Sequence, residues 1–161
     1  MFPSKPAGSS DFHVEDCRGI AAAASLPWTC DISSGVPAMD RLHHDLFSAL
    51  DALSSSGDVS FCAEFTAFVG IVERAFREEE TWMEDADFSA ITTHQEQHAR
   101  VLGALHHVHS QVMDGDIGLG RHVADELLPQ WLLFHISTMD TPFALAMQLA
   151  RSEREPTLQP S

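Results

Sequence analysis

The stretch 59–86 carries one uninterrupted apolar stripe, and this stripe constrains the fold more than any other feature of the chain. Its members recur at alternating steps of four and three, which is the spacing of one face of an α-helix. The stripe consists of Phe61, Phe65, Phe68, Val72, Ala75, Glu79, Trp82 and Ala86. Glu79 is the exception in chemistry, because a buried carboxylate is costly unless a cation or a metal ion pairs with it. The stretch predicts a long helix with a paired or metal-bound acid on its buried face.

A second stripe contains two histidines, His94 and His98, four residues apart. On a helix this spacing places both imidazoles on one face, about one turn apart. The apolar residues that continue the stripe are Ile91, Val101, Leu105, Val108 and Val112. Two interpretations fit the pair: hydrogen-bonded core histidines, or ligands of one metal ion. The choice depends on whether other helices bring ligands to the same depth.

Two further helices complete the pattern. The first is predicted from Pro37 to Leu53, with His43 beside its apolar stripe, and the short turn after it indicates an antiparallel neighbour. The last is predicted from Arg121 to Arg151, with His135 on its inner face. Its two prolines, Pro129 and Pro142, each remove a backbone donor, so we expect a kink or a restart near both.

The helix that carries the histidine pair is predicted to begin near Ser89 or Thr92 and to end near Asp114-Gly115. Thr92 and Gln95 fit a capping box at its start, and the glycine suits its end. Four long amphipathic helices with short links predict an all-α, up-down-up-down four-helix bundle. In that topology four helices each bring polar groups to one depth: His43, Glu79, His94 with His98, and His135. Asp140 follows His135 by five residues, an offset that does not by itself place it on the same face of an ideal helix.

Composition and charge restrict the class of protein. The chain has 161 residues and a formal net charge of −15, which argues against nucleic acid and anionic membranes as partners. It contains no apolar run near the ~18 residues that span a bilayer. Its cysteines, Cys17, Cys30 and Cys62, match no zinc or redox motif, so we interpret them as reduced thiols in a cytoplasmic protein. We expect a monomer with a flexible N-terminal arm over 1–22, one domain over 23–151 and a polar tail over 152–161.

The remaining acids and histidines near the stripes are predicted to face solvent. The acids off the buried stripe of the second helix are Glu78, Glu80, Glu84, Asp85 and Asp87. The histidines near the end of the third helix are His106, His107 and His109.

The order and separation of four motifs resemble the hemerythrins, especially the single-domain bacterial members. The family opens with a Trp, a Gly and Ile-Asp-x-Gln-His, and the matching residues are Trp28, Gly35 and Met39-Asp40-Arg41-Leu42-His43. The other matches are 75–83 to His-Phe-x-x-Glu-Glu-x-x-Met, His94/His98 to His-x-x-x-His, and 131–140 to Trp-Leu-x-x-His-Ile-x-x-x-Asp. The resemblance covers about 28–142.

This resemblance implies a non-haem pair of irons. One iron would take His94, His98 and His135, and the other would take His43 and a second histidine. The bridging carboxylates would be Glu79 and Asp140. The two-histidine iron of the family keeps an open position for dioxygen, so the implied partner is dioxygen or another small oxidant. Manganese or zinc could enter such a site as well.

The sequence departs from the family at Ala75, where the second helix should supply a histidine. His44 and Glu78 are the nearest alternatives, but each is rotated about 100° away from the site on its helix. Three outcomes are open: a diiron site with an extra open position, a site rearranged around another ligand, or a single iron.

Three functions fit these residues. The first is a protein that binds dioxygen for carriage, storage or sensing. The second is an oxidase or peroxidase that uses a more open iron. The third is a non-catalytic iron-binding module in which Ala75 marks a lost carrier function.

Overall fold

The computed structural model describes residues 33–154, which form four long helices and contain no β-strand. The helices are α1 (Pro37–Ser55), α2 (Asp58–Asp85), α3 (Ile91–Met113) and α4, the long fourth helix over 117–154. α2 packs against both α1 and α3, and the links between the helices are short. The predicted all-α four-helix bundle is confirmed. The predicted arm over 1–22, Trp28 and residues 155–161 lie outside the described residues.

No helix within residues 33–154 is both long and apolar enough to cross a bilayer.

The fourth helix contains two wider π-helical turns, Val123–Leu127 and Ile136–Asp140. In each of them a backbone N–H bonds to the carbonyl five residues earlier, Leu128 to Val123 and Thr141 to Ile136. A proline follows each of these donors directly. The proline ring would crowd the carbonyl four residues before it, and a wider turn relieves that crowding. The interruptions predicted at the two prolines therefore occur as π turns within a continuous helix.

α3 begins at Ile91, between the two residues predicted for its start, but its cap differs from the prediction. The residue before its first turn is Ala90, and no side chain caps it. Thr92 lies inside the first turn, two residues after the N-cap position, so the predicted capping box does not form. The preceding turn supplies a backbone acceptor instead, since Ile91 N–H donates to Phe88 O at 3.1 Å.

The core consists of two apolar clusters with a polar layer between them. The larger cluster runs along the bundle and includes Leu46, Phe65, Phe68, Val72 and Leu132. The smaller one closes one end and contains Val36, Met39, Met83, Phe143 and Ala144. On α1 the order is Met39, His43 and Leu46, so the histidine lies between the two clusters. The other three helices repeat this arrangement, which seals the polar layer from both sides.

Candidate metal centre

Six polar side chains are buried within the described range, each about 1% exposed. They are His43, Glu79, His94, His98, His135 and Asp140. These are the six site residues predicted from the sequence, and the structure brings all of them together. Their donor atoms form two overlapping groups, with the atoms of each group within 4.8 Å of one another. One group has three imidazoles and Glu79, and the other has His43, Glu79 and Asp140.

Three imidazole nitrogens meet at one point. The Nε2 atoms of His94 and His98 lie 3.1 and 3.2 Å from Nε2 of His135. In the metal-free chain such close nitrogens need protons between them, and a metal ion at the same point would bind all three lone pairs. We call this arrangement the three-histidine face.

Two acceptors orient the rings of this face from behind. Glu80 Oε1 lies 2.9 Å from His98 Nδ1, and Gln97 Oε1 lies 3.3 Å from His135 Nδ1. These acceptors favour the proton on Nδ1, so that in the neutral ring Nε2 presents its lone pair to the face. Phe76 stacks on the His98 ring with the centroids 3.9 Å apart, which holds the ring plane.

The prediction that Glu80 faces solvent is wrong. This residue was expected on the solvated face of α2, but its side chain is only 32% exposed and it binds His98. Its position off the apolar stripe gave no sign of this contact, because the partner ring comes from α3. Gln97 was missed for a similar reason, since its partner lies on the fourth helix.

The two carboxylates each face both donor groups. Glu79 Oε1 lies 3.4 Å from His43 Nε2, while Glu79 Oε2 lies 3.2 Å from His98 Nε2. Asp140 Oδ2 lies 2.8 Å from His43 Nε2, while Asp140 Oδ1 lies 3.0 Å from His94 Nε2. Each carboxylate thus directs one oxygen to each side, which is the arrangement that two neighbouring metal ions would share.

The π turn Ile136–Asp140 explains how Asp140 reaches this site. In an ordinary α-helix, residues five apart point in different directions. A π turn adds one residue to the turn, so His135 and Asp140 come to lie one turn apart on the same face. The Oδ1 atom of Asp140 lies 3.2 Å from His135 Nε2.

The donor set and the hydrogen bonding both fit a metal. Glu79 Oε2 and Asp140 Oδ1 are buried but form no hydrogen bond of acceptable geometry, although imidazole nitrogens lie close to both. Leaving buried polar atoms unsatisfied costs about 1–3 kcal/mol each. A cation between the rings and the carboxylates would satisfy these oxygens and the facing nitrogens together.

Ala75 is where the two sides of the site differ. It is one turn before Glu79 on α2 and is buried, and it carries no donor atom. His44, one of the possible substitutes, has 60% of its side chain exposed, and Glu78 lies at the surface beside Ala75. Neither belongs to the donor groups, so the His43 side has one nitrogen where the opposite side has three.

The electrostatics of the metal-free site favour positive charge. Burial lowers the pKa of His43, but hydrogen bonds and charge from Asp140 and Glu79 outweigh it and raise that pKa to about 9. Burial likewise opposes a charge on His98, whose pKa is nevertheless raised by Glu79 and Glu80. Burial raises the pKa of Asp140, but its histidine partners hold that pKa well below the usual value. Protons thus occupy the place where a metal cation would bind.

The raised pKa of His43 makes the metal-free protein less stable at alkaline pH. A folded pKa of about 9 against a model value of 6.5 means that the stabilisation is present below pH 6.5 and is lost as the pH rises towards 9. We expect the free energy of unfolding to fall by on the order of 3 kcal/mol across this window. Urea unfolding of chelator-treated protein at several pH values measures the change. A wild-type profile no steeper than that of His43→Gln would contradict the prediction.

Together, the fold and the site define a class of protein: a four-helix bundle with a buried histidine–carboxylate metal centre. No family model matches the chain. The bacteriohemerythrin of Ralstonia nicotianae is 33% identical to it over 115 residues, which cover 71% of this chain and 83% of the relative. At that identity and coverage, the chain belongs to the bacteriohemerythrin family.

Proposed function

We propose that this protein holds non-haem iron in the buried centre and binds dioxygen there reversibly. The observation that carries the proposal is the pair of donor groups that share Glu79, three nitrogens on one side and one on the other. Nitrogen and carboxylate donors suit iron. His94, His98 and His135 would hold one iron and His43 would hold a second, with Glu79 and Asp140 shared between the two sides.

The residues of the chain have distinct roles in this proposal. Iron bound in the centre supplies the electrons and the open coordination position that dioxygen binding needs. The three-histidine face fixes the tighter metal, because its rings are oriented by Glu80, Gln97 and Phe76. The two apolar clusters border the polar layer on both sides and separate it from the ends of the bundle. Asp140 Oδ2 lies 2.8 Å from His43 Nε2, so the carboxylate and the ring face the same point on the side with fewer nitrogens.

A redox enzyme, an oxidase or a peroxidase, is the second candidate. The observation in its favour is the absence of a donor at Ala75, which leaves the His43 side with more exchangeable positions than a two-histidine iron has. Exchangeable positions allow a bound oxidant to react instead of being held.

A dioxygen cycle on the iron-loaded protein separates the two candidates. The protein is loaded with ferrous iron without oxygen, exposed to dioxygen and then returned to an inert atmosphere, with visible spectra at each stage. Bands that appear and disappear over repeated cycles support carriage, storage or sensing. Bands that decay once while oxidant is consumed support the enzyme, and an unchanged spectrum contradicts both.

The assignment of Glu79 as a bridge predicts a specific loss of metal. Glu79→Gln keeps the shape of the side chain but removes the negative charge that balances the cations, so most of the iron should be lost. The measurement is iron per chain after gel filtration. The matched control is Glu84→Gln, because Glu84 is exposed on the same helix. The assignment fails if both variants retain the same iron.

Glu80→Gln should not be used as that control. The sequence predicted that Glu80 faces solvent with the other acids off the stripe. The contact between its carboxylate and His98 makes it a positioning residue for the three-histidine face.

A further inference from the structure

Methionine is distributed unevenly between the two apolar clusters of the bundle. Met39 and Met83 are two of the five buried residues of the smaller cluster, and Met147 packs against it. Met139 is half-buried and directly precedes Asp140 on the fourth helix. The larger cluster contains no methionine among its described residues. Thioether sulfur is therefore concentrated at the end of the core that the smaller cluster forms, next to the polar layer.

The two buried methionines, which we call the methionine pair, lie one helical turn from two residues of the metal centre. Met39 precedes His43 by four residues on α1, and Met83 follows Glu79 by four residues on α2. This spacing places each methionine on the same helix face as its neighbour in the centre. Because α1 and α2 are antiparallel, both methionines lie on the same side of the polar layer. The methionine pair thus borders the part of the centre that His43 and Glu79 form.

Burial separates the methionine pair from oxidants in solution. Met39 and Met83 are each 0% exposed. Solvent exposure normally decides which thioethers are oxidised to the sulfoxide, so neither residue should react with an oxidant in bulk water. An oxidant inside the metal centre, by contrast, is separated from the methionine pair by a single helical turn. Methionine also fills irregular gaps in cores, but packing alone gives no reason for an oxidation that depends on iron.

We propose that the methionine pair is a site of oxygen-atom transfer from hydrogen peroxide that enters the iron centre. The O–O bond of the peroxide breaks, and one of its oxygen atoms forms an S=O bond with the thioether sulfur of Met39 or Met83. The sulfur is oxidised by two electrons and the peroxide is reduced by two. The second oxygen atom leaves as water with both protons. Iron supplies the redox chemistry of the cleavage and ends in the oxidation state in which it began.

This reaction protects the ligands of the centre, because peroxide that is consumed at sulfur no longer attacks an imidazole. Methionine sulfoxide is returned to methionine by dedicated reductases, so the protection is renewable. The inference rests on the proposed function, since it requires an iron centre that admits an oxidant.

The test compares the full chain loaded with ferric iron and the full chain loaded with zinc after the same exposure to hydrogen peroxide. Zinc accepts nitrogen and carboxylate ligands but has no redox chemistry, so it fills the centre without cleaving peroxide. Peptide mass spectrometry measures the sulfoxide at each methionine. The iron form should carry roughly tenfold more sulfoxide at Met39 and Met83 than the zinc form. Met113 is the internal control, because it is 60% exposed and should be oxidised equally in both forms.

Equal oxidation of the methionine pair in the iron and zinc forms overturns the proposal. It is also overturned if the pair stays unoxidised in the iron form while Met113 reacts. The dioxygen cycle, run on the same iron-loaded sample, keeps the two ideas apart. A normal cycle without iron-dependent oxidation rejects only the oxygen-atom transfer, whereas oxidation of the pair without a reversible cycle supports the transfer and rejects reversible binding. A chain that holds no iron rejects both.

The double variant Met39→Leu/Met83→Leu tests the protection. Leucine is similar in volume to methionine and is tolerated in cores, so iron content before exposure should be unchanged. On exposure to peroxide the double variant should lose iron at least about twice as fast as the parent protein and add more oxygen to His43. Met113→Leu is the matched control and should lose iron at the parent rate. Equal iron loss from the double variant and the parent contradicts the protection.

Discussion

Replacing His98 with alanine should remove most of the bound iron and lower the melting temperature by about 10 °C. The His98 ring supplies one of the three nitrogens of the three-histidine face through Nε2. Its other nitrogen, Nδ1, contacts the Glu80 carboxylate. A metal that binds only the folded chain stabilises it by about 4 kcal/mol at a thousandfold excess over the dissociation constant. For a domain of this size, each kcal/mol corresponds to about 2–4 °C. Iron per chain and thermal unfolding are measured on the same samples.

The matched control for this variant is His107→Ala. His107 lies on the same helix but is exposed, so its removal should alter neither iron content nor melting temperature. Removing the His98 ring leaves a cavity, which can destabilise the chain even without metal. His98→Ala and the wild type are therefore also compared after chelation. The difference between His98→Ala and the wild type should be larger in the iron-loaded samples. Full iron retention by His98→Ala would refute the ligand assignment.

Introducing histidine at position 75 should allow a second iron to bind firmly and should slow autoxidation. Ala75 lies one turn before Glu79 in the same stripe, so a side chain there is on the face that carries the carboxylate. Ala75 is buried, so the larger ring brings an overpacking cost of about 1–3 kcal/mol, which metal binding must offset. The added nitrogen would occupy a position that is otherwise open to water.

Ala75→Leu is the control, because leucine fills space without offering a donor atom. Higher iron content in Ala75→His, with a melting temperature at or above that of the parent protein, supports a deleted ligand. Unchanged iron with a lowered melting temperature in both variants indicates that the second metal position has been rebuilt or lost. In that case the redox-enzyme or single-iron interpretation replaces dioxygen carriage.

The helices could be predicted from the sequence because their stripes are long and regular. The stripe of α2 identified both the helix and its buried acid, and the structure buries Glu79 between the apolar clusters. The ends of helices were less certain. Thr92 and Gln95 have the spacing of a capping box, but a box forms only if the threonine precedes the first turn, and α3 begins one residue before it.

Part of the site could not be predicted from periodicity. Spacing alone could not place Asp140, because its position depends on a π turn whose hydrogen bonds skip one residue. Asp140 was predicted from the resemblance to the hemerythrins. Pro142 is the sequence feature that accompanies the wider turn. Glu80 and Gln97 escaped prediction because their partners lie on other helices, and a single-helix pattern carries no information about such contacts.

Anomalous diffraction at the iron absorption edge, on crystals of the iron-loaded protein, tests the central claim most directly. We expect a strong peak within bonding distance of the Nε2 atoms of His94, His98 and His135, and a second, weaker one between His43 and the two carboxylates. A single strong peak at the three-histidine face would keep the centre but limit it to one iron. Iron-loaded crystals with no peak among these six side chains would contradict the account.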